Sequence, residues 1–133
     1  MNWIWIIVLY SAYHVVNIII ARINADTVQR RIDNRDAKQI EHGWWFLLYV
    51  VLCVPMGWAV NWWFVGAVLC LHGSVFPVAY NSFRHLAPFN LSKTSKAVYD
   101  RTLVKMGFKD MEIPDFAAEF VSALLFTVSL FAA

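Results

Sequence analysis

Four long apolar stretches, separated by polar segments, dominate the hydrophobic pattern of this 133-residue chain. Each has close to the ~20 apolar residues that an α-helix needs to cross the hydrocarbon core of a bilayer. The pattern therefore predicts an all-α protein, an integral membrane four-helix bundle that forms a single membrane domain. The predicted spans cover about residues 2–21, 43–60, 61–83 and 114–133, and the long loops cover about 22–42 and 84–113.

The basic residues predict how this bundle is oriented in the membrane. All eleven Lys and Arg lie within residues 22–38 and 84–109. Because basic loops stay on the cytoplasmic side, both long loops are predicted to be cytoplasmic and both termini outside, in a bacterial-type inner or plasma membrane. The first apolar run has no basic segment before it, so it is interpreted as a retained span and not as a signal peptide.

Tryptophan predicts the same topology independently of the charges. Indole rings favour the headgroup level of a membrane because they are part apolar and part hydrogen-bonding. Two groups of tryptophans fall at opposite ends of the predicted spans. The outer group is Trp3, Trp5, Trp58, Trp62 and Trp63, and the inner group is Trp44 and Trp45.

The composition agrees with a membrane protein and excludes several other classes. Hydrophobic residues make up 60% of the chain and charged residues only 15%, against roughly 25% charged residues in soluble domains. The net charge of +2 is too small to indicate a nucleic-acid partner. Cys53 and Cys70 both lie in apolar stretches and are interpreted as small buried hydrophobes, with no cysteine pair at metal-ligand spacing.

The second long loop is predicted to contain a short amphipathic helix from Ser92 to Met106. Ser92 can cap its start, and Gly107 can end it. Such a helix would either lie on the inner membrane surface or pack against the cytoplasmic end of the bundle. Its predicted apolar face consists of Val98, Tyr99, Leu103 and Met106.

Polar residues within the spans recur at helical spacing and are expected to face inward, because polar groups in lipid need partners. The small residues among them, Gly66, Gly73, Ser122 and Ser129, are interpreted as a packing seam between helices. The ionisable and amide groups are predicted to form one layer in the cytoplasmic half of the bundle. The predicted layer contains His14, Asn17, His42, Asn81, Arg84, Asp115 and Glu119.

Three members of the spans receive individual interpretations. Asp115, in the first turn of span four, compensates the helix dipole. Glu119 lies deeper and is expected to have a buried partner, with Arg84 as the first choice and His14 as the second. His72 lies off the polar stripe and is expected to hydrogen-bond to neighbouring backbone, or else to be an axial haem ligand.

The favoured interpretation is a small non-catalytic, multi-pass membrane protein. Its polar layer and basic surface helix would bind a partner protein or anionic lipid headgroups, with no cofactor and no metal. The candidate ligand-binding residues are Asn17, Asn81, Arg84 and Asp115.

Two alternatives remain open. One is a membrane-embedded enzyme acting on a lipid or lipid-linked substrate, with His14 and Glu119, or His42 and Glu41, as acid and base. No HExxH, GxSxG or CxxC motif supports it. The other is a redox subunit that binds haem b through His14 and His72.

Beyond these two, a pore-former or proton path could begin at His14, Asn17, Asn81 and Glu119, although the outer half of the bundle offers few polar groups to continue it. Self-association into a pore also stays open.

Overall fold

The computed structural model describes residues 2–33, 42–93 and 98–133, with side chains described for 2–30, 45–93 and 99–133. Within these residues the fold is all-helical, as predicted. Five helices follow one another along the chain. They are α1 (Trp3–Asp33), α2 (His42–Ala59), α3 (Trp62–Phe83), α4 (Val98–Lys105) and α5 (Glu112–Phe131).

Three helices in the described part of the chain are long and apolar enough to cross a membrane, which indicates a membrane protein. They are α1 over Trp3–Arg30, α3 over its full length and α5 over its full length. The remaining predicted span corresponds to α2, which has 18 residues over His42–Ala59. At about 1.5 Å per residue it extends ~27 Å, slightly less than a hydrocarbon core of ~30 Å.

Helix α3 lies at the centre and packs against α1, α2 and α5. Its buried Phe64, Val68 and Leu71 join side chains from α1 and α2 in one apolar core. Small residues let α5 approach closely. A Cβ added to Gly66 would lie 3.1 Å from Leu125, and one added to Gly73 would lie 3.7 Å from Ala118. This contact confirms the predicted small-residue seam between these two helices.

The two ends of the helices differ in character. One end carries the exposed indole rings of the five tryptophans predicted for the outer group, and we call it the tryptophan end. Each of these rings is at least 52% exposed. The opposite end carries residues 84–93 and 98–111, from the segment that connects α3 to α5, and we call it the loop end.

At the loop end, Asn81 organises the chain as it leaves α3. Its Nδ2 donates to the carbonyl oxygens of Pro88 and Asn90, both at 3.0 Å. The amide of Met111 then donates to the Phe89 carbonyl at 3.0 Å, just before α5 begins. Asn81 was predicted to join a polar layer inside the bundle. Because it lies on the last turn of α3, its side chain stabilises the loop instead.

Helix α4 ends as predicted and packs differently from the prediction. Gly107 has a positive φ of 88°, and Phe108 N–H donates to the Leu103 carbonyl at 3.1 Å, as in a glycine-terminated helix. Residues 94–97, between the predicted Ser92 cap and α4, lie outside the described residues. Leu103 is buried in a small cluster within the loop, whereas Met106, predicted for the same face, is 66% exposed.

Candidate functional site

The most densely hydrogen-bonded group between helices is centred on Asn17 of α1, which is fully buried. Its Nδ2 donates to the Tyr13 carbonyl at 2.9 Å and to the Tyr49 hydroxyl at 3.1 Å. The Tyr49 hydroxyl in turn donates to the Val68 carbonyl at 2.7 Å. Since a carbonyl can only accept, the contact with Tyr13 fixes the orientation of the amide. The Asn17 Oδ1 therefore faces His72, whose Nδ1 lies 2.6 Å away.

This contact shows that the predicted environment of His72 is wrong. The expected backbone partner is replaced by the Asn17 side chain of a different helix. Because Oδ1 is an acceptor, the His72 Nδ1 must carry a hydrogen. The imidazole stacks on Tyr49 and Phe76, with ring centroids 4.6 and 4.9 Å away.

A second group of hydrogen bonds joins α1, α3 and α5 nearer the tryptophan end. Ser122 of α5 is fully buried and donates from Oγ to the Ala67 carbonyl at 2.7 Å. With that hydrogen in use, the Tyr10 hydroxyl is the donor in its 2.6 Å contact with Ser122 Oγ. The Tyr10 ring also stacks on Phe126, with centroids 4.1 Å apart.

Two further contacts tie the helices together. The Tyr13 hydroxyl donates to the Leu52 carbonyl of α2 at 2.7 Å. Asn61 accepts from the Phe64 amide at 2.9 Å as the cap of α3, and its Nδ2 donates to the Ser129 carbonyl of α5 at 3.0 Å. The polar groups in these contacts are therefore satisfied by the chain itself and form closed seams between helices.

The members of the predicted polar layer whose side chains the structure describes do not converge on one site. Asn17 belongs to the His72 group, and Asn81 stabilises the loop. Arg84 turns back onto Tyr80, donating to its hydroxyl at 3.3 Å and lying 5.4 Å from its ring centroid. The candidate Glu41 lies outside the described residues, and the side chain of His42 is likewise not described.

The expected buried partner of Glu119 is also absent from the described part of the chain. Glu119 is exposed, and the ion pair found among the described residues is Arg22 with Asp26, at 3.1 Å. The prediction of an Arg84–Glu119 or His14–Glu119 ion pair is therefore wrong. The His14 ring instead meets Tyr10 edge-on, with centroids 5.2 Å apart.

The two haem candidates contact different neighbours. His14 packs on Tyr10, which also contacts α5, whereas His72 is held between Asn17, Tyr49 and Phe76. No group of three or more His, Cys, Asp or Glu side chains suited to a metal ion occurs among the described residues.

A groove at the loop end was not predicted from the sequence. Its volume is about 450 Å³, and it combines three carboxylates with three large apolar side chains. Asp115 is only 9% exposed, and its Oδ1 is buried without a hydrogen-bond partner among the described residues. The helical spacing of the acidic residues along α5 could have indicated that they share one face. The contribution of Phe89 could not be predicted, because it comes from the loop and reaches the groove only through the tertiary structure. The lining residues are Phe89, Glu112, Ile113, Asp115, Phe116 and Glu119.

Basic side chains lie on the outer surface of the same end. They are exposed and form no ion pair within the described residues. Burial first, and then the charges of Asp115 and Asp100, raise the pKa of Tyr99 on α4 above its ordinary value. The exposed cations of this loop are Lys93, Arg101, Lys105 and Lys109.

No protein-family model, curated protein or solved structure matches this chain.

Proposed function

We propose that this chain is a non-catalytic, multi-pass membrane protein that binds anionic lipid headgroups at its loop end. In this proposal α1, α2, α3 and α5 cross the bilayer, the loop end faces the cytoplasm and both termini lie outside. The alternatives of a lipid-modifying enzyme and a haem-binding subunit stay predictions, and no contact among the described residues favours either of them.

The helices and their ends support this topology. Helix α3 has 22 residues, so at about 1.5 Å per residue it extends ~33 Å, enough to cross the hydrocarbon core. The exposed indoles lie at one end and the exposed cations at the other, as expected for an interface anchor and a cytoplasmic surface. Helix α2 has 18 residues and extends ~27 Å, so a slight local thinning of the bilayer, at modest free-energy cost, lets it cross as well.

The closed seams support a non-catalytic role. An enzyme acting on a lipid needs reactive side chains that converge on a space open to the substrate. Here Asn17, Tyr49 and Ser122 are fully buried, and their polar atoms are taken up by bonds to neighbouring helices. Such bonds stabilise helix association in lipid, and among the described side chains they leave no acid–base pair beside a central cavity.

One observation carries the lipid-binding proposal: the exposed loop cations lie beside exposed apolar side chains at the same end. Lys105 and Met106 are neighbours at the end of α4, and both are exposed. Leu86 and Phe89, each 37% exposed, lie in the same loop. A surface that mixes cations with apolar side chains suits the headgroup region of an anionic leaflet, where each Lys or Arg contributes about 1 kcal/mol of binding free energy.

The experiment compares lipid binding by variants that differ only in charge. The chain is placed in nanodiscs of phosphatidylcholine, and energy transfer from a fluorophore at the loop end to labelled phosphatidylglycerol reports its local enrichment. Changing Lys93, Lys105 and Lys109 together to Gln should weaken the preference for the anionic lipid by roughly a hundredfold, from about 1 kcal/mol at each position.

The same three positions changed to Arg provide the matched control, which keeps the charge and should keep the preference. Equal enrichment in the Gln and Arg variants would contradict the proposal. Enrichment that is absent from the unmodified chain would do the same, and would point to a protein partner for this surface.

A further inference from the structure

We infer that the groove formed by Phe89 and the first two turns of α5 binds a small organic cation that has an apolar body, such as an alkylammonium or arylammonium ion. This inference concerns the acidic side of the loop end, and it does not depend on whether the basic surface binds lipid. Its lining residues are those given above: three carboxylates, two phenylalanines and one isoleucine.

The buried carboxylate of Asp115 is the first reason. A carboxylate removed from water needs hydrogen bonds or an opposite charge, since otherwise its burial is strongly unfavourable. Asp115 is nine-tenths buried, its Oδ1 has no partner among the described residues, and its side chain lines the groove. A cation in the groove would supply the missing partner.

The neighbouring charges strengthen the attraction for a cation. Glu112 and Glu119 line the same groove one turn to either side of Asp115, and positions three and four residues apart lie on one face of a helix. In the described part of the chain neither of them forms an ion pair within 4.0 Å. The groove therefore offers negative charge over about 10 Å of the helix, at ~1.5 Å per residue.

The shape and the lining favour an organic cation over a metal ion. The described residues contain no set of three ligating side chains that could share a metal. Phe89 and Phe116 instead present aromatic surface beside the carboxylates, a combination that suits ammonium groups because the ring faces attract cations. The volume of about 450 Å³ falls within the range of small-molecule sites.

The groove is also the wrong shape for the side of a partner helix. It is confined to residues 112–119 of α5 and to Phe89, whereas a packed helix would follow the apolar face that continues to Phe131. A compact ligand that places its cation near Asp115 and its apolar body on the phenylalanines matches the lining better.

The test uses the full chain in nanodiscs of phosphatidylcholine and a pair of probes of nearly identical shape. Phenyltrimethylammonium carries the cation, and tert-butylbenzene is its neutral counterpart. Isothermal titration calorimetry, with empty nanodiscs subtracted, should show saturable binding of the cation and only non-saturable partitioning of the neutral probe.

Variants then locate the site. Asp115→Asn and Glu119→Gln keep the side-chain size and should each weaken cation binding at least tenfold. Asp100→Asn removes a carboxylate from α4, outside the groove lining, and should change the affinity less than twofold. Glu119 is exposed, so its variant is expected to fold even if the Asp115 variant does not; thermal unfolding of each variant checks this.

Three outcomes would overturn the inference. They are the absence of saturable binding to the unmodified chain, equal binding of the neutral probe, and unchanged affinity in both groove variants. The lipid-binding proposal would survive any of them, because its own test changes only Lys93, Lys105 and Lys109.

Discussion

His72 on α3 donates a hydrogen bond from Nδ1 to the Oδ1 of Asn17 on α1 across 2.6 Å. Asn17 is fully buried, and its two amide hydrogens are donated to the Tyr13 carbonyl and the Tyr49 hydroxyl. The contact therefore joins three helices through one side chain.

A double-mutant cycle should measure this coupling directly. We expect Asn17→Leu and His72→Phe each to destabilise the fold, because each leaves the other's buried polar group without its partner. Their effects should be non-additive by about 0.5–1.5 kcal/mol, in the range measured for hydrogen bonds between membrane helices. Unfolding in mixed micelles with increasing denaturing detergent provides the free energies. Strict additivity would show that the two side chains do not interact.

Tyr10→Phe tests the hydrogen bonds that join α1, α5 and α3. The change removes only the hydroxyl that donates to Ser122, and it keeps the ring stacked on Phe126. We expect a loss of about 0.5–1 kcal/mol in the free energy of unfolding. Tyr99→Phe is the control, since Tyr99 is 43% exposed on α4 and its variant should unfold like the original chain. Equal free energies of unfolding for the two variants would show that the Tyr10 hydroxyl does not stabilise the fold.

Gly57→Ala tests the close approach between the end of α2 and the start of α3. A Cβ at Gly57 would lie 2.7 Å from the Trp62 ring, so the indole must move. We expect a destabilisation of about 1 kcal/mol, at the lower end of overpacking effects. In a Trp62→Ala background the same change should instead be neutral or stabilising, because alanine favours a helix over glycine by up to ~1 kcal/mol. A penalty that persists without the indole would rule out this steric explanation.

Glu119→Leu should be tolerated. The side chain is exposed and has no ion-pair partner among the described residues, so its removal leaves no buried charge behind. We expect a change in unfolding free energy within about 0.5 kcal/mol, or a gain if lipid covers this face. The comparison is Asn17→Leu, which removes a polar side chain from a buried hydrogen-bond network. If Glu119→Leu lowered the unfolding free energy as much as Asn17→Leu does, Glu119 would have the buried partner that the sequence predicted.

Thiol labelling tests the proposed topology. In a background with Cys53 and Cys70 replaced by Ala, single cysteines are placed at Arg30, Lys105 and Ala133. A membrane-impermeant maleimide should label Arg30→Cys and Lys105→Cys from the cytoplasmic side, and Ala133→Cys from the opposite side. Labelling of the first two positions from opposite sides would reject the arrangement on which the lipid proposal depends.

Part of the candidate site could be recognised from the sequence. The helical spacing of the polar residues correctly singled out Asn17 on α1 as inward-facing, and the spacing of the acidic residues along α5 marked Asp115 and Glu119 as candidates. Their partners could not be recognised in the same way. Helical periodicity gives the face of a residue on its own helix, but not the rotation or level of the opposing helix. The sequence analysis therefore did not predict that Asn17 contacts His72. It also predicted Arg84 as the partner of Glu119, whereas Arg84 turns back onto Tyr80.

The sequence by itself determined that this protein is helical and that its longest helices suit a membrane, because the length and composition of an apolar stretch depend only on neighbours along the chain. It also determined the end of α4 at Gly107, where a positive φ favours glycine. The tertiary structure alone decided that Asn17 meets His72, that Asn81 stabilises a loop, and that Phe89 closes a groove over Asp115. The first and third contacts join residues far apart in the chain, and the second depends on how the loop folds back onto the end of α3, so helical periodicity alone could not give any of them.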